Sequence, residues 1–215
     1  MRAGLSRHGD GAVRCAWCAG HAEYVAYHDA EWGFPIRDDR RLFEQITLEA
    51  FQGGLSWLTI LRKREGFRRG FGNFDIEKIA RFTHADVRRL LDDTSVVRHR
   101  GKIESCLNNA RRCADLVDRE GSFARYVWRF EPASPTRPRQ LTWNALRAMT
   151  RTPESVALSK DLKRRGWSFV GPTTMYAFMQ ASGLVNDHLY GCIVRDRVAS
   201  ISNDARYTPA SGRVR

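Results

Sequence analysis

The chain has 215 residues, 42% of them hydrophobic and 11% aromatic, with 36 Lys+Arg against 24 Asp+Glu for a formal net charge of +12. That composition supports one folded domain with a real core and excludes a disordered chain, a collagen-like fibre and a disulfide miniprotein. The basic excess points to a polyanionic partner, nucleic acid or an acidic membrane face, or else to Arg-rich composition alone. No apolar run approaches the roughly 20 residues of a spanning helix. Residues 1–14 lack the apolar stretch of a signal peptide, so a cytoplasmic protein with no membrane partner is expected. Five cysteines are an odd number, and in that compartment they are expected as buried, free or metal-bound thiols.

Residues 1–14 read as a loose tail. Asp38 or Asp39 caps a helix with Leu42, Phe43, Ile46 and Ala50 on one stripe, broken by Gly53-Gly54. A second helix carries Leu55, Leu58 and Leu61 and ends in Arg62-Lys63-Arg64. Asp75 starts a short helix with Ile76 and Ile79. Thr83 to Asp86 has capping-box spacing before Val87, Leu90 and Leu91. Ile103, Leu107, Ala110, Ala114 and Val117 form a long amphipathic helix stopped by Gly121, and Phe123 to Phe130 suggests a short one. Pro132 to Gln140 reads as a surface loop. Thr152-Pro153 opens a helix running to Gly166, and Thr173 to Ser182 forms the last, stopped by Gly183. Residues 195–215, with Arg195 and Arg197 among Ser and Asn, read as a second, basic tail. The expected fold is all-α, seven or eight helices over residues 15–194, without repeats.

Four constellations carry chemistry. Cys15 and His28 near one end of the domain, and His188 and Cys192 near the other, supply two thiolates and two imidazoles. That set suits a tetrahedral Zn²⁺ with no open position, a structural site. Cys18 and His21 compete for the role, because Cys15-Ala16-Trp17-Cys18 is itself a knuckle, and four unrelated buried residues remain the plain alternative. Glu49 falls on the apolar stripe of Leu42 and Ile46, where a charge is costly unless paired. It is either a salt-bridge partner or a carboxylate at the bottom of a pocket. Trp17, Tyr24, Tyr27, Trp32 and Trp57 lie in polar, Gly-containing sequence, which favours a pocket wall over an aliphatic core. Such a wall with one carboxylate suits a planar cationic ligand. The turn Thr94 to Lys102 precedes a helix and carries Arg98, Arg100 and Lys102, a phosphate site or a solvated basic turn.

Taken together, Tyr27-His28-Asp29-x-Glu31-Trp32-Gly33, Leu55-Ser56-Trp57, Arg98-His99-Arg100-Gly101-Lys102-Ile103, Phe169-Val170-Gly171-Pro172-Thr173-Thr174 and Val185-Asn186-Asp187-His188 resemble the 3-methyladenine DNA glycosylase I family. That family belongs to the helix-hairpin-helix superfamily, and the likeness runs from about Cys15 to Cys192. The resemblance implies a monofunctional enzyme that hydrolyses the N-glycosidic bond of 3-methyladenine in double-stranded DNA, releasing the free base and leaving an abasic site. It implies structural Zn²⁺ on Cys15, His28, His188 and Cys192, demoting Cys18 and His21. It places Glu49 as the base-recognising carboxylate with Tyr27 beside it, and Trp57, Trp17 and Tyr24 around the base. Residues 94–102 become the DNA-binding hairpin, with Arg98, Arg100 and Lys102 on phosphates. A monomer is expected. One departure is Ser95, where the family usually has Gly, a residue that allows positive φ or close approach to phosphate. Two alternatives stand beside this reading: a zinc-stabilised DNA-binding module without catalysis, and a relative that excises bulkier alkylpurines.

Overall fold

A computed structural model describes residues 2–133 and 141–204. The chain opens with β1 (Leu5–Arg7) and β2 (Val13–Cys15), an antiparallel pair in which Leu5 faces Cys15. This corrects the loose tail expected over residues 1–14. Three-residue strands are too short to show an alternating pattern, and polar contacts hold the hairpin. The Asp10 carboxylate accepts the Ala12 N–H at 3.0 Å in the turn. The Arg14 guanidinium pairs with both Asp10 and Asp29 at 2.8 Å.

Helix α1 (Ala22–Ala30) follows. The sequence pattern does not announce it, because AEYVAYHDA shows no aliphatic stripe. Helix α2 (Asp39–Gln52) starts as expected, with the Asp38 side chain accepting the Arg41 N–H. Helix α3 (Trp57–Gly70) is capped by Ser56. It runs past the expected basic stop because Gly66, Phe67 and Gly70 continue its buried face. Leu55, expected on that stripe, lies before the helix and is 38% exposed. Asp75 caps α4 (Ile76–Ala80), and the Thr83–Asp86 capping box opens α5 (His84–Asp92).

Helix α6 (Arg100–Glu120) begins at a His99 cap and stops at Gly121, which takes φ 85°. Then come α7 (Phe123–Val127) and a 3-10 turn. Most of the expected Pro132–Gln140 loop, residues 134–140, lies outside the described residues. Helix α8 (Trp143–Ala148) is a further element without a sequence signal, whereas α9 (Pro153–Arg164) and α10 (Pro172–Ala181) fall at the expected caps. Helix α11 (Arg195–Asp204) replaces the first part of the expected basic tail. It is anchored by Val198, which is fully buried against Cys15, Leu189, Cys192 and Val194.

The architecture among the described residues is thus all-α with one small hairpin. Its main core centres on α2, whose Leu42, Phe43 and Ile46 are at most 2% exposed and which packs on α3, α6, α7 and α10. A separate apolar cluster joins the two ends of the chain. A third, Tyr27, Trp32 and Ala181 with Trp17 and Trp57 against it, bridges α1, α3 and α10.

Candidate functional site

The register of α2 keeps Glu49 on the buried stripe with Leu42 and Ile46 and carries it into a cleft of about 360 Å³. Trp17, Tyr24, Tyr27, Glu49 and Trp57 all line this cleft, so every expected pocket residue converges there. Trp32, Gln52, Leu146, Ala177 and Gln180 complete the wall. Of these, Trp32 belongs to the aromatic set of the sequence. Leu146 sits on α8, which the sequence does not signal. Gln180 is a polar residue among the apolar Met175 to Met179 and Ala181 of its helix, a signal of the same kind as Glu49.

Glu49 is 6% exposed. Its Oε1 accepts the Gln45 Nε2–H at 2.9 Å from one turn earlier on the same helix. Burial pushes the carboxyl up to about 8, opposed only by that hydrogen bond. Among the described residues no cationic side chain pairs with Glu49, whose hydrogen bond is to Gln45, so the salt-bridge account does not hold. Tyr27 is also buried, and burial together with the charge of Glu49 holds its hydroxyl well above the usual phenol range. The Tyr27 ring is tilted against Trp57 at 5.5 Å between centroids, and the buried Trp57 indole N–H has no hydrogen-bond acceptor among the described residues. Tyr24 accepts the Leu58 N–H at 2.9 Å and so ties α1 to the first turn of α3. Trp17 meets Tyr24, Tyr27 and Trp32 edge-on, at 5.8, 6.5 and 5.1 Å.

Behind the aromatic wall, the ligand atoms of Cys15, His28, His188 and Cys192 all lie within 4.8 Å of one another, and all four residues are buried. His28 Nδ1 is 2.7 Å from the Asp29 carboxylate, and His188 Nε2 is 2.9 Å from the Trp32 carbonyl. Both partners only accept, so those nitrogens carry the protons. His28 Nε2 and His188 Nδ1 are left as bare lone pairs 3.2 Å apart. Cys192 Sγ stands 3.4 and 3.6 Å from them. Imidazole nitrogens and thiols converging on one point fit a tetrahedral metal, with the outer-shell partners that orient ligating imidazoles. Cys18 is excluded from the cluster because its thiol turns to the Cys15 carbonyl at 3.1 Å. His21 sits exposed at the start of α1. The i, i+4 pair His188 and Cys192 is brought together by a turn, in which the Cys192 N–H bonds the Leu189 carbonyl at 2.9 Å.

The basic turn between α5 and α6 is exposed at Arg98, His99 and Arg100. Ser95 does not need a positive φ: Asn73, Phe74 and Phe169 are the non-glycine residues that adopt one among the described residues. Room for its side chain comes from Gly66 on α3, where an added Cβ would sit 2.3 Å from the Ser95 carbonyl oxygen. Lys102 departs from its expected role. It is 8% exposed, and its Nζ donates to the carbonyls of Phe51 at 2.8 Å and Gly53 at 2.5 Å. The ammonium thus satisfies orphan carbonyls at the end of α2. Lys102→Met is therefore expected to lower Tm, at roughly 1–3 kcal/mol per stranded carbonyl, while the salt dependence of DNA binding stays at the wild-type slope. A flattened slope would return Lys102 to the phosphate contacts.

A flat-walled cleft closed by a buried carboxyl, beside an exposed basic turn between helices, defines a helical protein built to hold a planar heterocycle. Comparison with known proteins narrows this class. The family model for methyladenine glycosylase matches residues 17–196, and the chain belongs to that family. It is 46% identical over 179 residues to DNA-3-methyladenine glycosylase 1 of Escherichia coli (strain K12), covering 83% of this chain and 95% of that one. It is 42% identical over 181 residues to the DNA-3-methyladenine glycosylase of Haemophilus influenzae, covering 84% and 96%. Among solved structures, a Tyr-to-Phe variant of 3-methyladenine DNA glycosylase I in complex with 3-methyladenine superposes with a TM-score of 0.79 at 35% identity, over 85% of this chain and 97% of that chain.

Proposed function

We infer that the protein is a base-excision repair enzyme that hydrolyses the N-glycosidic bond of 3-methyladenine in DNA. The observation that carries this reading is Glu49, a buried acid with no cationic partner among the described residues, at the end of an aromatic cleft. Chemistry on a base requires taking it out of the stack. Methylation at N3 makes the base cationic on its nucleotide, so cleavage of the bond to C1′ lets it leave neutral. Little general-acid help is then needed. Glu49 accepts hydrogen bonds from the adenine edge and balances its charge, Tyr27 sets its hydroxyl beside Glu49, and Trp57, Trp17 and Tyr24 enclose the ring. Water attacks C1′, giving the free base and an abasic site. A non-catalytic DNA-binding module has no use for this convergence of Glu49, Tyr27 and Trp57. Incubation of the protein with methylated DNA, with the released base identified by chromatography, tests the reading. Release of 3-methyladenine is expected; no release would overturn it, and bulkier alkylpurines alone would move the substrate to the second alternative.

The Cys15, His28, His188 and Cys192 set is assigned to a structural Zn²⁺, four protein ligands leaving no open position for chemistry. We assign α5, the turn and α6 to the helix-hairpin-helix DNA contact, with Arg98 and Arg100 on phosphates. Removing one phosphate-bound cation reduces the salt slope by about 1. Arg98→Ala and Arg100→Ala are accordingly expected to weaken binding to all sequences alike, read as log Kd against log salt concentration. A changed sequence preference would count against it. One chain supplies pocket, candidate metal ligands and basic turn, which supports action as a monomer.

A further inference from the structure

Phe169 is 43% exposed and holds a left-handed backbone, φ 57°. A bulky residue is strained in that region. Phe74 adopts a similar φ of 56° but is fully buried in the core, so packing offsets its strain. No comparable burial offsets that of Phe169. The loop around it is fixed on both sides. Trp167 and Val170 are core residues, 4% and 1% exposed. Asn109 on α6 accepts the Ser168 N–H at 3.0 Å and donates to the Ser168 carbonyl at 3.0 Å. The Ser105 and Ser168 hydroxyls lie 2.7 Å apart, and Ser159 on α9 donates to the Val170 carbonyl at 2.6 Å. These bonds impose the conformation that turns the Phe169 ring out. The ring emerges against the basic turn, 6.4 Å from the His99 ring and within 3.8 Å of where a Cβ on Gly101 would lie.

We propose that Phe169 is a DNA-contacting residue, an apolar platform that packs on the sugar and base of the strand whose phosphates the neighbouring turn holds. The proposal rests on the reading of that turn as the DNA contact. Strain maintained at an exposed position beside a binding surface matches preorganisation for a ligand. An aromatic platform also adds affinity that charge alone does not supply.

The test is DNA binding by anisotropy across a salt series for Phe169→Gly, Phe169→Ala and Phe169→Tyr, with Tm and free-base affinity measured in parallel. Phe169→Gly removes both ring and strain. It is expected to keep Tm at or above wild type and keep affinity for free 3-methyladenine. It is expected to weaken DNA binding about tenfold with an unchanged salt slope, since every phosphate-bound cation remains in place. Phe169→Ala should weaken binding equally, and Phe169→Tyr should retain it. Wild-type DNA affinity in Phe169→Gly, or a lowered Tm with DNA affinity intact, overturns the proposal. Arg98→Ala and Arg100→Ala separate this from the turn's own role. If they flatten the slope while Phe169→Gly has no effect, the turn stands and Phe169 does not. If Phe169→Gly alone weakens binding, Phe169 contacts DNA without the phosphate-bound turn, and the platform as proposed falls with that turn.

Discussion

Cys192→Ser is expected to give a protein that no longer retains zinc, melts at least about 10 °C lower and binds free 3-methyladenine poorly. Each kcal/mol of stability removed from a domain of this size lowers Tm by about 2–4 °C, and structural zinc sites contribute well beyond one. The damage reaches the pocket because two residues of its wall pack directly against the ligand set. Trp17 lies two residues after Cys15 and meets the His28 ring at 5.4 Å. Trp32 gives its carbonyl to His188 and its ring edge to the same imidazole at 4.7 Å. Releasing the ligands frees the hairpin end of the chain from the turn at 188–192 and lets both tryptophans leave the cleft. The wild-type protein, purified without added metal, should carry one zinc per chain by elemental analysis. Chelation should reproduce the mutant's Tm and its weakened base binding. A metal-free protein with an unaltered melting curve would remove the zinc assignment.

Helix starts are legible because they are written locally. Asp38, Asp75, Thr83 and Thr152 each cap through a side-chain oxygen placed just before an apolar stripe, and such signals need no tertiary context. Helix α1 is not legible. Its Tyr24, Tyr27 and His28 serve the pocket and the ligand cluster, so they do not form an aliphatic stripe, and functional demand replaces the periodicity that reveals a helix. The same holds for Phe169, whose motif carries no sign of its backbone conformation. Lys102 misleads for an electrostatic reason. A lysine in a basic turn reads as solvated, and only the end of α2, 49 residues away in sequence from Gly53 to Lys102, supplies the carbonyls that make its burial tolerable. For the candidate metal ligands, spacing leaves Cys18 and His21 as competitors. Orientation makes the choice, since the Cys18 thiol points back to its own loop.

Glu49→Gln is expected to fold, keep its metal and bind undamaged DNA normally. It should lose roughly 1.5–3 kcal/mol of affinity for free 3-methyladenine, about ten- to a hundredfold, the worth of a hydrogen bond to a charged acceptor. The amide keeps the size of the side chain but loses the charge and presents donors to the base. Because the carboxyl of the empty pocket is pushed up to about 8 by burial, a base that binds the ionised form must first displace a proton. Wild-type affinity should therefore climb from pH 6 to 8 by up to tenfold per unit, and Glu49→Gln should flatten that climb. Stability carries the opposite sign. A carboxyl whose folded pKa lies above its unfolded value near 4.3 binds more protons in the folded state between the two values, so it costs stability progressively as pH rises through that window. At pH 8–9 the base-free Glu49→Gln protein should then be more stable than wild type, by an amount on the order of a few kcal/mol, with the difference vanishing near pH 4. Excision falls by less than base affinity, since the cationic base leaves readily on its own. Titration calorimetry, thermal melts across pH and single-turnover excision measure the three effects. Unchanged affinity for the free base, with an unchanged pH profile, would make Glu49 a structural carboxyl and remove it from the site.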